Sequence, residues 1–109
     1  MAVERDDLVQ NPSSAWVRVT SFEGAPGMVD QAMQLAAEQL VPLLRSSEGW
    51  QRTLGLRSHD GRQGLVLSFW EDHAALLGSE ATTTVVRQRA ASAGLDADVE
   101  RLELVFDEQ

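Results

Sequence analysis

Gly64-Leu65-Val66-Leu67-Ser68-Phe69-Trp70-Glu71-Asp72-His73-Ala74 is the stretch that decides the fold. Side chains alternate along a strand, so Leu65, Leu67 and Phe69 fall on one face and Val66 and Trp70 flank Ser68 on the other. Both faces are apolar, whereas an antiparallel sheet with one wet face alternates apolar with polar. One face is expected to pack on helices. The other needs a cover that 109 residues do not supply, and a second copy of the same sheet would supply it, so a homodimer joined through its sheet faces is expected. After Trp70, Asp72 is a good N-cap, and the strand runs straight into a short helix from His73 to Leu77 that Gly78 can end.

Working upstream, Asp60-Gly61 marks a tight hairpin turn, because glycine takes the positive φ such turns need. The hairpin pairs a strand from Gln63 to Trp70 with one from Trp50 to Ser58, in which Trp50, Leu54 and Leu56 are read on one face. Before it, Val29, Met33, Ala36, Leu40, Leu43 and Leu44 recur at spacings of three and four, predicting a helix from Met28 to about Ser46. Pro42 lies inside it, so a kink or a tightened last turn is expected there. Met28 and Met33 read as core filler. A first strand is predicted from Ala15 to Phe22, broken by Glu23 to Gly27. Residues 1–14 are polar and carry the turn cluster Asn11-Pro12-Ser13-Ser14, and they are expected to form a flexible N-terminal arm outside a single domain of residues 15–109.

Downstream, Ser79 is placed to cap a helix from about Glu80 to Ala93, stopped by Gly94. A last strand is read from Val99 to Phe106, with Leu102, Leu104 and Phe106 on one face. The order is β-α-β-β-α-β, the ferredoxin-like split pattern: an α+β fold with an antiparallel sheet and helices on one face.

Composition bounds the function. Apolar residues make up 43% and charged residues 24%, ordinary for a globular domain. The net charge is -8, with scattered arginines and no lysine, so no basic patch exists for a nucleic acid or an anionic membrane. No run approaches the length a membrane span needs. Without cysteine there is no disulfide framework and no thiolate, and the acidic start Met1 to Asp7 lacks the apolar core of a signal peptide, so a cytoplasmic protein is expected. His59 and His73, with Asp60 and Asp72 beside them, fit no familiar ligand spacing, so no metal is expected. Gly24 to Gly27 lacks the lysine of a phosphate-binding loop.

Five residues are candidates for a site. Trp70 offers a flat apolar wall and one N–H donor, and Ser68 projects to the same face. His73, at the helix start, carries an imidazole that can act as a general base or orient a bound oxygen atom. Arg18 and Thr20 share a strand face with Trp16 and Phe22, where a guanidinium either holds a carboxylate or phenolate of a ligand or pairs with an acid of the protein.

The segments from Trp16 to about Leu77 resemble the antibiotic biosynthesis monooxygenase group of the dimeric α/β-barrel superfamily. The resemblance rests on the strand and Gly-rich turn from Phe22 to Gly27, on Glu48-Gly49-Trp50 at the helix exit, and on Ser68 to Ala74 in the place of that group's strand-Trp-Glu-Ser helix start. It implies two ferredoxin-like subunits packed sheet against sheet, each with a pocket between its sheet and its helices. Some members oxidise aromatic polyketide substrates with oxygen and need no cofactor. In anthrone-oxidising members the strand tryptophan is accompanied by an asparagine four residues earlier and a tyrosine six residues later; here those positions are Val66 and Leu76, which offer no side-chain donor. In haem-degrading members a tryptophan and an axial histidine follow, at places that fall here near Ser79 and Arg89. Two functions stand side by side. One is a cofactor-independent monooxygenase acting on an aromatic or polyketide-like molecule, with His73 and Trp70 catalytic and Trp70, Ser68, Arg18 and Thr20 binding substrate. The other is a non-catalytic dimer of the same fold that binds a small apolar ligand or serves a structural role.

Overall fold

The computed structural model describes residues 15–108, and the arm expected over 1–14 lies outside them. The chain runs through β1 (Trp16–Glu23), α1 (Pro26–Leu35), a π-helical turn (Ala36–Leu40), α2 (Val41–Arg45), β2 (Trp50–Arg57), β3 (Gln63–Trp70), α3 (His73–Gly78), α4 (Glu80–Ser92) and β4 (Asp96–Glu103). The sheet order is β2-β3-β1-β4, with all three neighbouring pairs antiparallel. This is the ferredoxin-like α+β arrangement that the strand and helix order predicts.

The π-helical turn stands where one continuous helix with a break at Pro42 is expected. Pro42 has no N–H to donate, and its ring crowds the carbonyl one turn earlier. The chain widens before the proline instead of tightening after it: Val41 donates its N–H five residues back, to the Ala36 carbonyl. The helix enters without a side-chain cap at Ala25, through Pro26, whose fixed φ suits a first turn. Ser79 does not cap α4 either. Its hydroxyl donates to the Leu76 carbonyl at 2.8 Å, tying α3 to α4. Asp72 caps α3 as its position predicts, accepting from the Ala75 N–H at 2.8 Å.

Register assigns the two sheet faces. Trp16, Arg18, Thr20 and Phe22 of β1 stand opposite Trp70, Ser68, Val66 and Gly64 of β3. This set lies under the helices, and apart from the half-buried Trp16 all of it is buried. Helix α1 approaches β3 closely at Gly64, where an added Cβ would lie 2.7 Å from the Met33 sulfur. Phe22, Val66 and Trp70 of this face form the core with Val29, Ala36, Leu40, Leu44 and Leu76.

Two strand expectations need correction. Trp50 does not share a face with Leu54 and Leu56. A β-bulge between Trp50 and Arg52 sets Trp50 opposite Trp70 on the helix side, because an extra residue on one strand reverses the alternation beyond it. Its indole donates to Thr53 at 2.9 Å. The last strand lies three residues earlier than predicted, at Asp96–Glu103, because its partner β1 begins at Trp16, opposite Glu103. A final bond from the Leu104 N–H to the Ala15 carbonyl closes the ladder, and Phe106 is left 75% exposed.

The other face of the sheet carries no helix. Val17, Val19, Leu65, Leu67 and Phe69 run along its centre, flanked by Leu54, Leu56 and Leu102, which are 39%, 49% and 48% exposed. Both faces of β3 are therefore apolar, as its sequence predicts. No helix among the described residues is long and apolar enough to cross a membrane.

Candidate functional site

Four of the five candidate residues converge at one end of the helix–sheet interface. Arg18, only 1% exposed, lies with its guanidinium carbon 5.9 Å from the Trp70 ring centre. It donates to the Thr83 hydroxyl at 3.0 Å, the Leu76 carbonyl at 2.6 Å and Glu80 at 2.7 Å. Arg101 of β4 grips the same Glu80 carboxylate from the edge, at 2.6 and 2.9 Å. Two guanidinium groups thus share one carboxylate at the start of α4. The Arg101 hydrogen bonds, followed by those of Arg18, hold the Glu80 carboxyl down at about 2. Burial pulls the Arg18 pKa below its ordinary value, opposed by Glu80.

Trp70 is fully buried, and its indole donates to Ser68 at 2.9 Å. Thr20 is buried two residues on from Arg18 toward Phe22, on the same strand face and opposite Val66 and Val99. His73 is not in this group. It is exposed at the start of α3, with its ring 4.2 Å from the half-buried ring of Trp16. Arg18, Ser68 and Trp70 are engaged with one another and with α3 and α4, and of the Arg18 nitrogens only Nε is buried without a hydrogen-bond partner.

The open space lies at the other end of the same interface. A cleft of about 160 Å³ separates α1 from α4 over Phe22 and Leu95. Met28, Ala32 and Leu35 form one wall and Val86, Ala90 and Ala93 the other. Its polar rim is Gln31, Gln39 and Arg89, and Arg89 donates to the Gln39 side-chain oxygen across the gap at 3.4 Å. A shallower groove continues past this bridge between Leu43 and Val85, again lined by Gln39, Val86 and Arg89. None of Arg18, Thr20, Ser68, Trp70 or His73 lines either space.

The volume of the cleft is close to the roughly 150 Å³ that holds one benzene ring in an apolar protein cavity. Its lining offers binding and orientation by an amide pair and a guanidinium, and contains no carboxylate, histidine or hydroxyl. Among the described residues no three His, Asp or Glu side chains come close enough to share a metal ion. Sequence reasoning missed Gln31, Gln39 and Arg89. The available signal was Ala32 on one helix and Ala90 and Ala93 on the other: small residues on facing helices leave space that larger ones would fill.

No protein-family model matches the chain, and no curated protein does. Solved structures do match. The ActVA-Orf6 monooxygenase of Streptomyces coelicolor, in complex with nanaomycin D, superposes with a TM-score of 0.68 at 19% identity, over 88% of this chain and 92% of that one. SnoaB, a cofactor-independent oxygenase of Streptomyces nogalater, gives a TM-score of 0.62 at 19% identity, covering 84% and 93%. A candidate antibiotic biosynthesis monooxygenase of Deinococcus radiodurans reaches 0.72 at 12% identity, covering 86% and 96%. The likeness is one of fold, and it extends across nearly the whole of each chain: this protein is built on the same ferredoxin-like frame as these oxygenases.

Proposed function

We propose that the chain is a homodimer, joined through its helix-free sheet faces, that binds a flat aromatic or polyketide-like molecule in the cleft between α1 and α4. The observation that carries the binding reading is the cleft itself: apolar, ring-sized and bounded by three polar side chains at its rim. For the dimer, the support is the apolar stripe from Leu54 to Leu102 across four strands, which a second copy would cover. Sedimentation should report about twice 11.9 kDa, and a wild-type protein that stays monomeric at micromolar concentration would sink the dimer.

A second reading, cofactor-independent oxygenation, is favoured by the fold shared with SnoaB and the ActVA-Orf6 monooxygenase. The ligand would then be an electron-rich phenol or enol with an acidic CH₂. Loss of a proton gives a carbanion that reduces O₂; the CH₂ becomes C=O, and the second oxygen atom leaves as water. In this reading Arg18, Thr20, Ser68 and Trp70 brace the sheet and helices away from the cleft without lining it, and His73 lies outside it beside Trp16. Oxygen uptake with an anthrone should exceed the buffer rate and fall when Ala32→Leu fills the cleft. Equal rates with and without protein would sink the oxygenase reading and leave ligand binding standing.

A further inference from the structure

The chain has 17 acidic and nine basic residues, yet no acid lines the cleft or the groove that continues it, and the one ionisable side chain common to both is Arg89. We infer that the ligand of this site is an aromatic anion, with its ring between Met28 and Ala90 and its carboxylate or phenolate on Arg89. This rests on the binding reading above and names the class of molecule bound.

Three observations converge on Arg89. Among the described residues Arg18, Arg57 and Arg101 each pair with an acid, and of the arginines that do not, Arg89 alone lines the cleft. Its hydrogen bond goes to a neutral acceptor, Gln39, at 3.4 Å, near the limit of such bonds. A guanidinium carries five N–H donors in a planar fork, and bonds to an anionic oxygen are about twice as strong as those to a neutral amide. A carboxylate arriving at the rim would therefore displace Gln39 from Arg89, and the released amide could donate to the same ligand. Glu38, beside Gln39 in the sequence, accepts from the Gln34 amide at 3.1 Å and lines neither the cleft nor the groove. The net charge of -8 acts over distances that physiological salt screens within roughly 8 Å, so the contact at the rim outweighs it.

Arg89 is exposed, so its contribution should be modest. The test compares naphthalene-2-carboxylate with the neutral naphthalene-2-carboxamide by calorimetry, and by the NMR shifts of the Met28 and Ala90 methyl groups in the full chain. Wild type should bind the acid about fivefold more tightly than the amide, the upper range for an exposed ion pair. Arg89→Gln should lose that preference and keep its affinity for the amide, and Ala32→Leu should bind neither probe. Equal affinity of wild type for both probes, with loss of both in Ala32→Leu, would overturn the anion inference alone. A preference that survives Arg89→Gln would overturn the role of Arg89. Acid binding that survives Ala32→Leu would place the ligand elsewhere, and failure of wild type to bind either probe would overturn both this inference and the binding reading.

Discussion

The two ends of the helix–sheet interface are built from the same layers and solve opposite problems. At one end Arg18 and Trp70 fill the space beneath α3 and α4, and almost every polar atom has a partner inside the protein. At the other, the small side chains of Ala32, Ala90 and Ala93 leave space between α1 and α4 over Phe22. Large side chains with many partners make a fixed joint. Small ones leave a space whose walls are set by that joint, which is the division a binding site requires: a rigid frame at one end and an unfilled volume at the other.

The sharpest way to break the contrast is at Trp70. Trp70→Ala should cost about 4 kcal/mol, read from urea denaturation, because it empties a fully buried site. Trp70→Phe should cost less, about 1–2 kcal/mol, through a smaller ring and a Ser68 hydroxyl left without its indole partner. A negligible loss in the alanine variant would mean that the closed end is not a joint at all.

The next effect is a pH dependence. Glu80 is held at about 2 in the folded protein, against an ordinary value of 4.5. A carboxyl with a depressed folded pKa contributes its full stability above the unfolded value and loses it as pH falls toward the folded one. Urea midpoints should therefore decline from about pH 4.5 toward pH 2. In Glu80→Gln that part of the decline should flatten, with lower stability than wild type at neutral pH. Parallel curves for the two proteins would show that the Arg18–Glu80–Arg101 cluster does not bear on folding.

The smallest effect belongs to the open end. Ala32→Leu places extra methyl groups into vacant volume, so its stability should stay within about 1 kcal/mol of wild type while the cleft closes. A loss as large as that of Trp70→Ala would mean that the two ends are packed alike.

The frame was legible because its signals are local. The limits of β3, the glycine turn at Gly61 and the cap at Asp72 follow from residues adjacent in sequence, and Gly61 does take a φ of 74°. Where partners distant in sequence decide, the reading slipped. The bulge that turns Trp50 inward depends on β3, and the end of β4 depends on where β1 begins. The site was less legible for the same reason. Arg18 reads as a cation on an apolar strand face, and only the fold brings Glu80 and Thr83 to it from 62 and 65 residues away. Gln39 and Arg89 lie 50 residues apart, and neither belongs to a motif. Small side chains, as at Ala32 and Ala90, mark a space only once it is known that their helices face each other.

The wide turn at Ala36–Leu40 has a consequence for comparing sequences. The buried positions Ala36, Leu40 and Leu44 are spaced by four and four. At about 100° per residue, eight residues overshoot two regular turns by about 80°, and the wide turn absorbs the excess. The segment thus holds roughly one residue more than a regular helix would use to join the same two ends. Aligned with a relative whose helix is regular, it needs a one-residue gap inside 36–40. Without that gap, the half-turned-out Leu43 would be matched to the core position that Leu44 occupies, and every later position up to Trp50 would be read one place out of step.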